Sequence, residues 1–543
     1  MNRTEVVPGG VLQELARASS ELPREVFLVF DDVEHTFSEV YAEVMSMGRG
    51  LREAGVAKGD RALIMMPNRI EAVWSWFGLH AAGAVDGPAS VEAKGASLQH
   101  LVTDLAPRVA IGAAELLRRV AETVPGHGIE LAVVLDGEAD PEPLGPGVRH
   151  HTFDDVLARG RTDSADLARP QPDELATIMY SSGSSGPPKG VMLSHGYYAN
   201  IPMAHHEAIA LSPGEVMYCA QPLCHIDPRM AVLDVLYERC RLVLASSFSA
   251  SRFWSEVERH DADVFCFIGA MLPLVFKQPA NPSGPGRRRR GLGSAIPKSI
   301  HDPFTERFNV ELLEGYGMTE APAVCNQYPG EGTPGNVGRP LPGVELCVAD
   351  RFGVAVADGE VGELLVRPTR PHAVMMGYWR RPEATVEAWR GLWMHTGDLA
   401  RRRTDGTYEY VGRLKDSIRR RGENVSAWEV ERVALTHPLV LEAAAIGVPS
   451  EVGEEDVALV IVPHRDGPPD PRQLRSHVAA DLPRYAVPRF IDIVDSLPKT
   501  PSERVAKAVL RERGLTSRVY DAERDREATA RSTPARDAGG ART

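Results

Sequence analysis

The chain lacks the marks of several broad protein classes. Among its 543 residues there are six cysteines, and none of Cys219, Cys224, Cys240, Cys266, Cys325 and Cys347 forms a CxxC pair. That is the usage of reduced, mostly buried thiols in a cytosolic protein. Positive charge is short as well. The net charge of −13 argues against non-specific nucleic-acid binding. The basic clusters Arg287–Arg290, Arg401–Arg403 and Arg419–Arg421 read as solvated loop faces. No uninterrupted apolar run reaches the length of a membrane span. The opening MNRTEVVPGG has no apolar core of the kind a secretory leader carries, so a cytoplasmic location is expected. Internal repeats are absent. The length leaves room for more than one domain and a large core.

What is present centres on Tyr180 to Gly190, YSSGSSGPPKG. It follows the apolar run Leu175–Met179, a buried strand by composition. Gly183 and Gly186 permit positive φ, so successive N–H groups can converge on one concavity. Ser181, Ser182, Ser184 and Ser185 add hydroxyl donors, and Lys189 adds a mobile point charge. Such a loop suits a polyphosphate. It is not the common P-loop, because Lys189 is followed by Gly190, Val191 and Met192, which read as a second strand. Composition alone would also allow a flexible surface loop.

Around this loop, strands and helices alternate. Phe37–Ala54 carries Val40, Val44, Met47 and Leu51 at helical spacing. Arg61–Met66 reads as a strand and Ile70–Ala82 as a helix. Ser194 is placed to cap a helix carrying His195 and Tyr197. Val216–Leu223 and Val264–Ile268 read as strands, Phe253–Asp261 as a helix, and Asn281–Gly291 as a Pro/Gly/Arg-rich loop. The alternation predicts an α/β layered fold. After Gly412 the character changes. Helices Trp428–Thr436 and Pro471–Asp481 alternate with strands Glu442–Val448, Val457–Val462 and Phe490–Val494. From Thr516 no apolar period remains, and the tail 516–543 is expected to be disordered.

Five further stretches follow the loop in order: EGYGMTE (Glu314–Glu320), GELLVRP (Gly362–Pro368), HTGDLA (His395–Ala400), GRLKDSIRRRGENVSAWEVE (Gly412–Glu431) and PKTPSERVAK (Pro498–Lys507). With YSSGSSGPPKG, this series resembles the signatures of the adenylate-forming superfamily. The likeness runs from about Thr36 to about Gly514 and is nearest to acyl-CoA synthetases similar to carnitine/crotonobetaine-CoA ligase. It implies a large N-terminal domain, residues 1–414, of α/β subdomains plus a small β-rich subdomain. A small mobile α+β lid, residues 415–515, would rotate about Lys415.

The resemblance also implies roles. Ser181, Ser182, Gly183, Ser184, Ser185, Gly186 and Lys189 would hold the phosphates of ATP. Glu314, Gly315 and Tyr316 would bind ATP, with Tyr316 stacking on adenine. Thr319 would offer its hydroxyl to the α-phosphate, and Glu320 a hard oxygen to Mg²⁺. Asp398 would accept the ribose hydroxyls, with Arg413 reaching ribose or phosphate. Gly422, Glu423 and Asn424 would line a tunnel for CoA. His225, Ile226, Arg229, Ile268, Gly269, Ala270 and Met271 would line the acid pocket, with Arg229 available to pair with a second anionic group.

Two departures stand out. The last signature of the family reads Gly-Lys where this chain has Glu503-Arg504. Arg504 takes over the adenylation role, or Lys507 does one helical turn on, or neither. Cys224 stands where the family commonly has an aromatic residue. The leading reading is an AMP-forming ligase that uses ATP, Mg²⁺ and CoA on a small or medium acid, as a monomer or homodimer. A diazotase using nitrite and an aryl amine, an amide-forming or carrier-loading enzyme, and a non-catalytic nucleotide binder are the alternatives.

Overall fold

The computed structural model describes residues 10–135, 142–162, 167, 169–181, 188–269, 271–279, 286–420, 423–450, 455–465, 467–482, 484–499 and 505–525. The chain divides into two compact units, Met1–Thr396 with Arg401–Tyr410, and Gly397–Ala400 with Val411–Thr543.

The large unit is built on two mixed sheets whose central strands run parallel, with antiparallel strands toward their ends. The eight-stranded sheet runs in the order Gly377–Tyr378, Lys189–Ser194, Leu175–Ser181, Val85–Pro88, Arg61–Met65, Val109–Gly112, Leu131–Val134, Arg149–Thr152. Its central strands Arg61–Met65, Val109–Gly112 and Leu131–Val134 are short, largely buried runs, the pattern of a sheet covered on both faces. The helix Phe37–Glu53 shows how sequence dictates one such cover. Thr36 caps Glu39 N–H and Glu39 reaches back to Thr36 N–H, a full capping box. Val40, Val44, Met47 and Leu51 then fall on one face and are fully buried. Each contributes roughly 1.5–3 kcal/mol of apolar burial.

The nine-stranded sheet runs Arg339–Pro340, Ala321–Asn326, Val310–Met318, Arg289–Ser294, Val264–Ile268, Val216–Cys219, Arg241–Leu244, Val26–Phe30, Val33–Thr36. An aromatic cluster of Phe253, Trp254, Phe265, Phe304 and Phe308 packs on one of its faces. A further four-stranded sheet, which contains the antiparallel pair Val344–Ala349 with Val361–Pro368, forms the β-rich part.

Three expectations are corrected here. The strand from Val216 ends at Cys219, and Ile226–Glu238 is a helix. Only Arg287 and Arg288 of the arginine run Arg287–Arg290 are solvated. Arg289 and Arg290 open the strand Arg289–Ser294, in the middle of the sheet. Arg289 is buried with its Nε on Ala262 O, and Arg290 pairs with Glu215 at 2.7 Å. Carboxylates and carbonyls at the neighbouring strand ends draw these guanidinium groups in. The predicted loop Asn281–Gly291 therefore ends early, and its residues 281–285 lie outside the described residues.

The small unit has the sheet order Val440–Pro449, Glu455–Pro463, Phe490–Ile493, Tyr520–Asp521. Helices Ala427–Ala434 and Pro471–Asp481 pack their apolar residues Val430, Leu474 and Val478 onto Leu459, Ile461 and Ile491. The last strand corrects the expectation of a disordered tail from Thr516. Ile491 pairs with Tyr520, and Arg489 holds Asp521 at 3.2 Å, so the segment docks on an otherwise open edge. The remainder of that predicted tail, 526–543, lies outside the described residues.

Candidate active site

Four elements of the large unit converge around one tyrosine. Leu175–Ser181 and Lys189–Ser194 form an antiparallel pair in which Ser181 faces Lys189. The phosphate-loop candidates Ser182, Gly183, Ser184, Ser185 and Gly186 between them lie outside the described residues. The limbs of the loop are anchored from one helix, Gly95–Leu105. Its Asp104 accepts the Tyr180 hydroxyl at 2.9 Å, and its His100 ring bonds Pro188 O at 2.8 Å. These two residues share a helix face at i, i+4 spacing.

The motif EGYGMTE folds as a hairpin. Met318 pairs with Ala321, so Thr319 and Glu320 form its two-residue tip. Gly317 is required there, because a Cβ would lie 2.1 Å from Pro322 O across the hairpin. The tip is held by Tyr197, whose hydroxyl donates to Thr319 O at 2.8 Å, and by Met375 N–H, which donates to Glu320 O at 2.8 Å. Tyr316 is half-buried with its ring 6.1 Å from that of Tyr410. Glu314 lies at the buried foot of the hairpin. Burial pushes its carboxyl up to about 7, against backbone amides of Ile296, Gly335 and Ala295 and the charge of Lys298.

The third strand to arrive is the short Gly377–Tyr378, which pairs with Met192 and Val191. It sets Tyr378 between the two charged candidates. The Tyr378 hydroxyl donates to Glu320 Oε1 at 2.9 Å, and Lys189 Nζ lies 4.6 Å from its ring centroid. Among the described residues no group of three or more His, Cys, Asp or Glu could hold a metal ion. A Mg²⁺ ion here fits a site in which Glu320 supplies one hard ligand and substrate phosphates supply others.

The candidate acid pocket is only partly as expected. His225 stands just before the helix Ile226–Glu238, and Ile226 is its first residue. Cys224 lies beside it, its thiol pushed up to about 11 by burial. Ile268 ends a strand, Gly269 follows, Ala270 lies outside the described residues, and Met271 begins the helix Met271–Phe276. Gly269 admits the neighbouring strand end, since a Cβ would meet Ala295 O at 1.8 Å.

Arg229 requires a correction. It is buried, with Nη2 2.7 Å from Asp86 and Nε on Leu223 O. Tyr198 accepts from it at 3.1 Å, and Trp76 stacks against it at 4.5 Å. Asp86 also takes His80 and Thr177. Burial opposes ionisation of Asp86, but Arg229 and His80 outweigh it and hold the carboxyl down to about 2. The guanidinium is thus consumed by an internal pair and does not present a charge to substrate.

In the small unit, Asp398 is buried 2.8 Å from Arg413 Nε. Lys415 sits in the 3₁₀ turn Leu414–Asp416. Glu423 and Asn424 open the strand Glu423–Ser426, while Gly422 lies outside the described residues. Arg504 does as well. Lys507, the other candidate for the adenylation cation, is engaged: its Nζ lies 2.7 Å from Glu431 and 3.9 Å from Asp416. Burial raises the Glu431 pKa against the pull of Lys507. The ammonium thereby neutralises a buried carboxylate, which is a structural task and a correction to its place among the catalytic candidates.

Sequence reading missed Tyr378, Tyr197, His100 and Asp104. Pro382, which opens the helix Pro382–Ala388, marks a structural break just after Tyr378. Nothing local ties Tyr378 to a carboxylate in another motif.

This geometry places two opposed charges on one tyrosine beside a hairpin tip of the α/β unit. The AMP-binding enzyme family model matches residues 15–379, and the AMP-binding enzyme C-terminal domain matches 429–504. The chain belongs to the AMP-binding enzyme family and is an AMP-forming ligase of the adenylate-forming superfamily. It is 30% identical over 507 residues to a sulfoacetate–CoA ligase of Cupriavidus necator, covering 91% of this chain and 96% of that protein. It is 27% identical over 502 residues to a crotonobetaine/carnitine–CoA ligase of Salmonella paratyphi A, covering 89% and 95%. Among solved structures, the anthranilate CoA ligase AuaEII in complex with anthranoyl-AMP superposes with a TM-score of 0.84 at 25% identity, covering 94% and 99%. Among the described residues no helix is long and apolar enough to cross a membrane.

Proposed function

We propose that the protein is a cytoplasmic acyl-CoA ligase. It adenylates a small or medium carboxylic acid with ATP, releases pyrophosphate, and transfers the acyl group to CoA. The observation that carries this reading is that Lys189 and Glu320 both meet Tyr378, one at its ring and one at its hydroxyl, with Thr319 beside Glu320 at the hairpin tip. One carboxylate oxygen of the acid attacks the α-phosphorus, and the bond to pyrophosphate breaks. Lys189 and the loop before it bind the β- and γ-phosphates. Thr319 donates to the α-phosphate, where negative charge grows. Mg²⁺ would be held by Glu320 and would offset phosphate charge. Tyr316 stacks on adenine, and Asp398 accepts from the ribose hydroxyls.

In the second half-reaction the thiolate of CoA attacks the acyl carbon and AMP leaves. The lid turns about Lys415, and Gly422, Glu423 and Asn424 line the path of the pantetheine arm. Arg504 supplies the adenylation cation, since Lys507 is held by Glu431. His225, Ile226, Ile268, Gly269, Ala270 and Met271 surround the acid.

The test is ATP-dependent pyrophosphate release over a panel of aliphatic, aryl and sulfonated carboxylic acids, carnitine and nitrite, each with and without CoA or an aryl amine. A carboxylic acid that yields a CoA thioester is the expected result. Turnover that needs nitrite and an amine and ignores CoA would overturn it.

A further inference from the structure

We infer that Tyr378 is a positioning residue that keeps Lys189 and Glu320 from neutralising each other before ATP and its metal arrive; this rests on the ligase reading of the same site. Both charges are held on one tyrosine side chain. A direct pair would leave neither charge available to ligand.

Tyr378 separates them by offering each a different part of one side chain. Its ring face lies under Lys189 Nζ, 4.6 Å from the centroid. A ring quadrupole holds an ammonium loosely enough for phosphate oxygens to claim it. Its hydroxyl donates to one Glu320 oxygen, Oε1, at 2.9 Å. That bond aims the carboxylate and satisfies one oxygen, and a carboxylate has a second oxygen with which to meet a metal.

The tyrosine is itself fixed from three directions. Its backbone pairs with Val191, two residues from Lys189. Its N–H donates to Thr385 Oγ1 at 2.9 Å. The same segment bonds the backbone of both charged partners' elements: Met375 N–H donates to Glu320 O and Met376 N–H to Met192 O, each at 2.8 Å. The stretch Met375–Tyr378 is therefore a rigid bridge from the metal-binding carboxylate to the phosphate-binding lysine.

The experiment compares the parent with Tyr378→Phe, which keeps the ring, and Tyr378→Leu, which loses ring and hydroxyl. Mn²⁺ binding in the presence of ATP is read by electron paramagnetic resonance without any acid. Metal-free ATP binding is read by calorimetry, and melting temperature is recorded for each protein. Tyr378→Phe is expected to weaken Mn²⁺ binding about tenfold, the value of a lost hydrogen bond to a charged group, and to leave metal-free ATP binding within about twofold. Tyr378→Leu is expected to weaken both. In turnover, Tyr378→Phe should raise the Mg²⁺ concentration for half-maximal rate and leave KM for the acid unchanged.

Parental Mn²⁺ affinity in Tyr378→Phe would overturn the proposal. So would an equal loss of Mn²⁺ and metal-free ATP binding accompanied by a lowered melting temperature, which marks a merely structural role. If the parent binds Mn²⁺ and ATP as expected but no acid elicits pyrophosphate, the ligase reading fails and the role of Tyr378 in holding the two charges apart stands.

Discussion

Two pairs of opposite charges in the large unit are arranged in contrary ways. Arg229 and Asp86 meet at 2.7 Å inside the protein, with Tyr198, Thr177, His80 and Trp76 filling their remaining contacts. Lys189 and Glu320 meet through a tyrosine instead. The first arrangement leaves nothing for a ligand and ties helix Ile226–Glu238 to strand Val85–Pro88. The second preserves charge for a ligand. A cation near a predicted pocket is therefore not evidence of a substrate partner until its own neighbours are counted.

The strongest way to break the comparison is to leave one internal charge alone. Arg229→Met strands Asp86 in the core and should cost about 3–5 kcal/mol in stability by denaturant unfolding. A double variant Arg229→Met/Asp86→Leu should recover much of that loss. If Arg229 instead served substrate, the single variant would melt like the parent and lose only turnover.

Glu320→Gln attacks the other arrangement. It should lower kcat for pyrophosphate release by about 100–1,000-fold, the range for removing one preorganised electrostatic group, with melting unchanged.

Glu314 sharpens the contrast, because it is a buried carboxyl whose pKa burial has raised to about 7. The folded state holds this proton more tightly than the unfolded chain does. Stability therefore declines as pH rises from the ordinary carboxyl range toward 7. The slope is at most about 1.4 kcal/mol per pH unit, giving about 2 kcal/mol between pH 5 and 6.5. Unfolding of Glu314→Gln at the same pH values should lack that component.

The smallest effect belongs to an exposed pair. Arg241 and Glu34 lie 3.5 Å apart at the surface, and Arg241→Ala should move stability by less than about 0.5 kcal/mol.

Much of the architecture was legible because it is written locally. Helix Phe37–Glu53 announces itself through a capping box and four apolar residues at helical spacing. The paired strands on either side of the phosphate loop follow from apolar runs flanking glycine and proline. The helix Ile226–Glu238 was missed because apolar residues cover nearly every side of it, so no helical period shows. Arg289 and Arg290 misled for a related reason. Charge predicts exposure only when no buried carboxylate or carbonyl waits for it.

The sequence by itself determined the family, the order of the motifs and the residue types that can handle phosphate and metal, because those are properties of short contiguous stretches. Tertiary structure alone decided which charges remain available. Arg229 was taken by Asp86 and Lys507 by Glu431, partners far away in the chain. Tyr378 acquired its place between Lys189 and Glu320 in the same way. Electrostatic pairing depends on distance in space, and that is set by packing the layers together rather than by any local pattern.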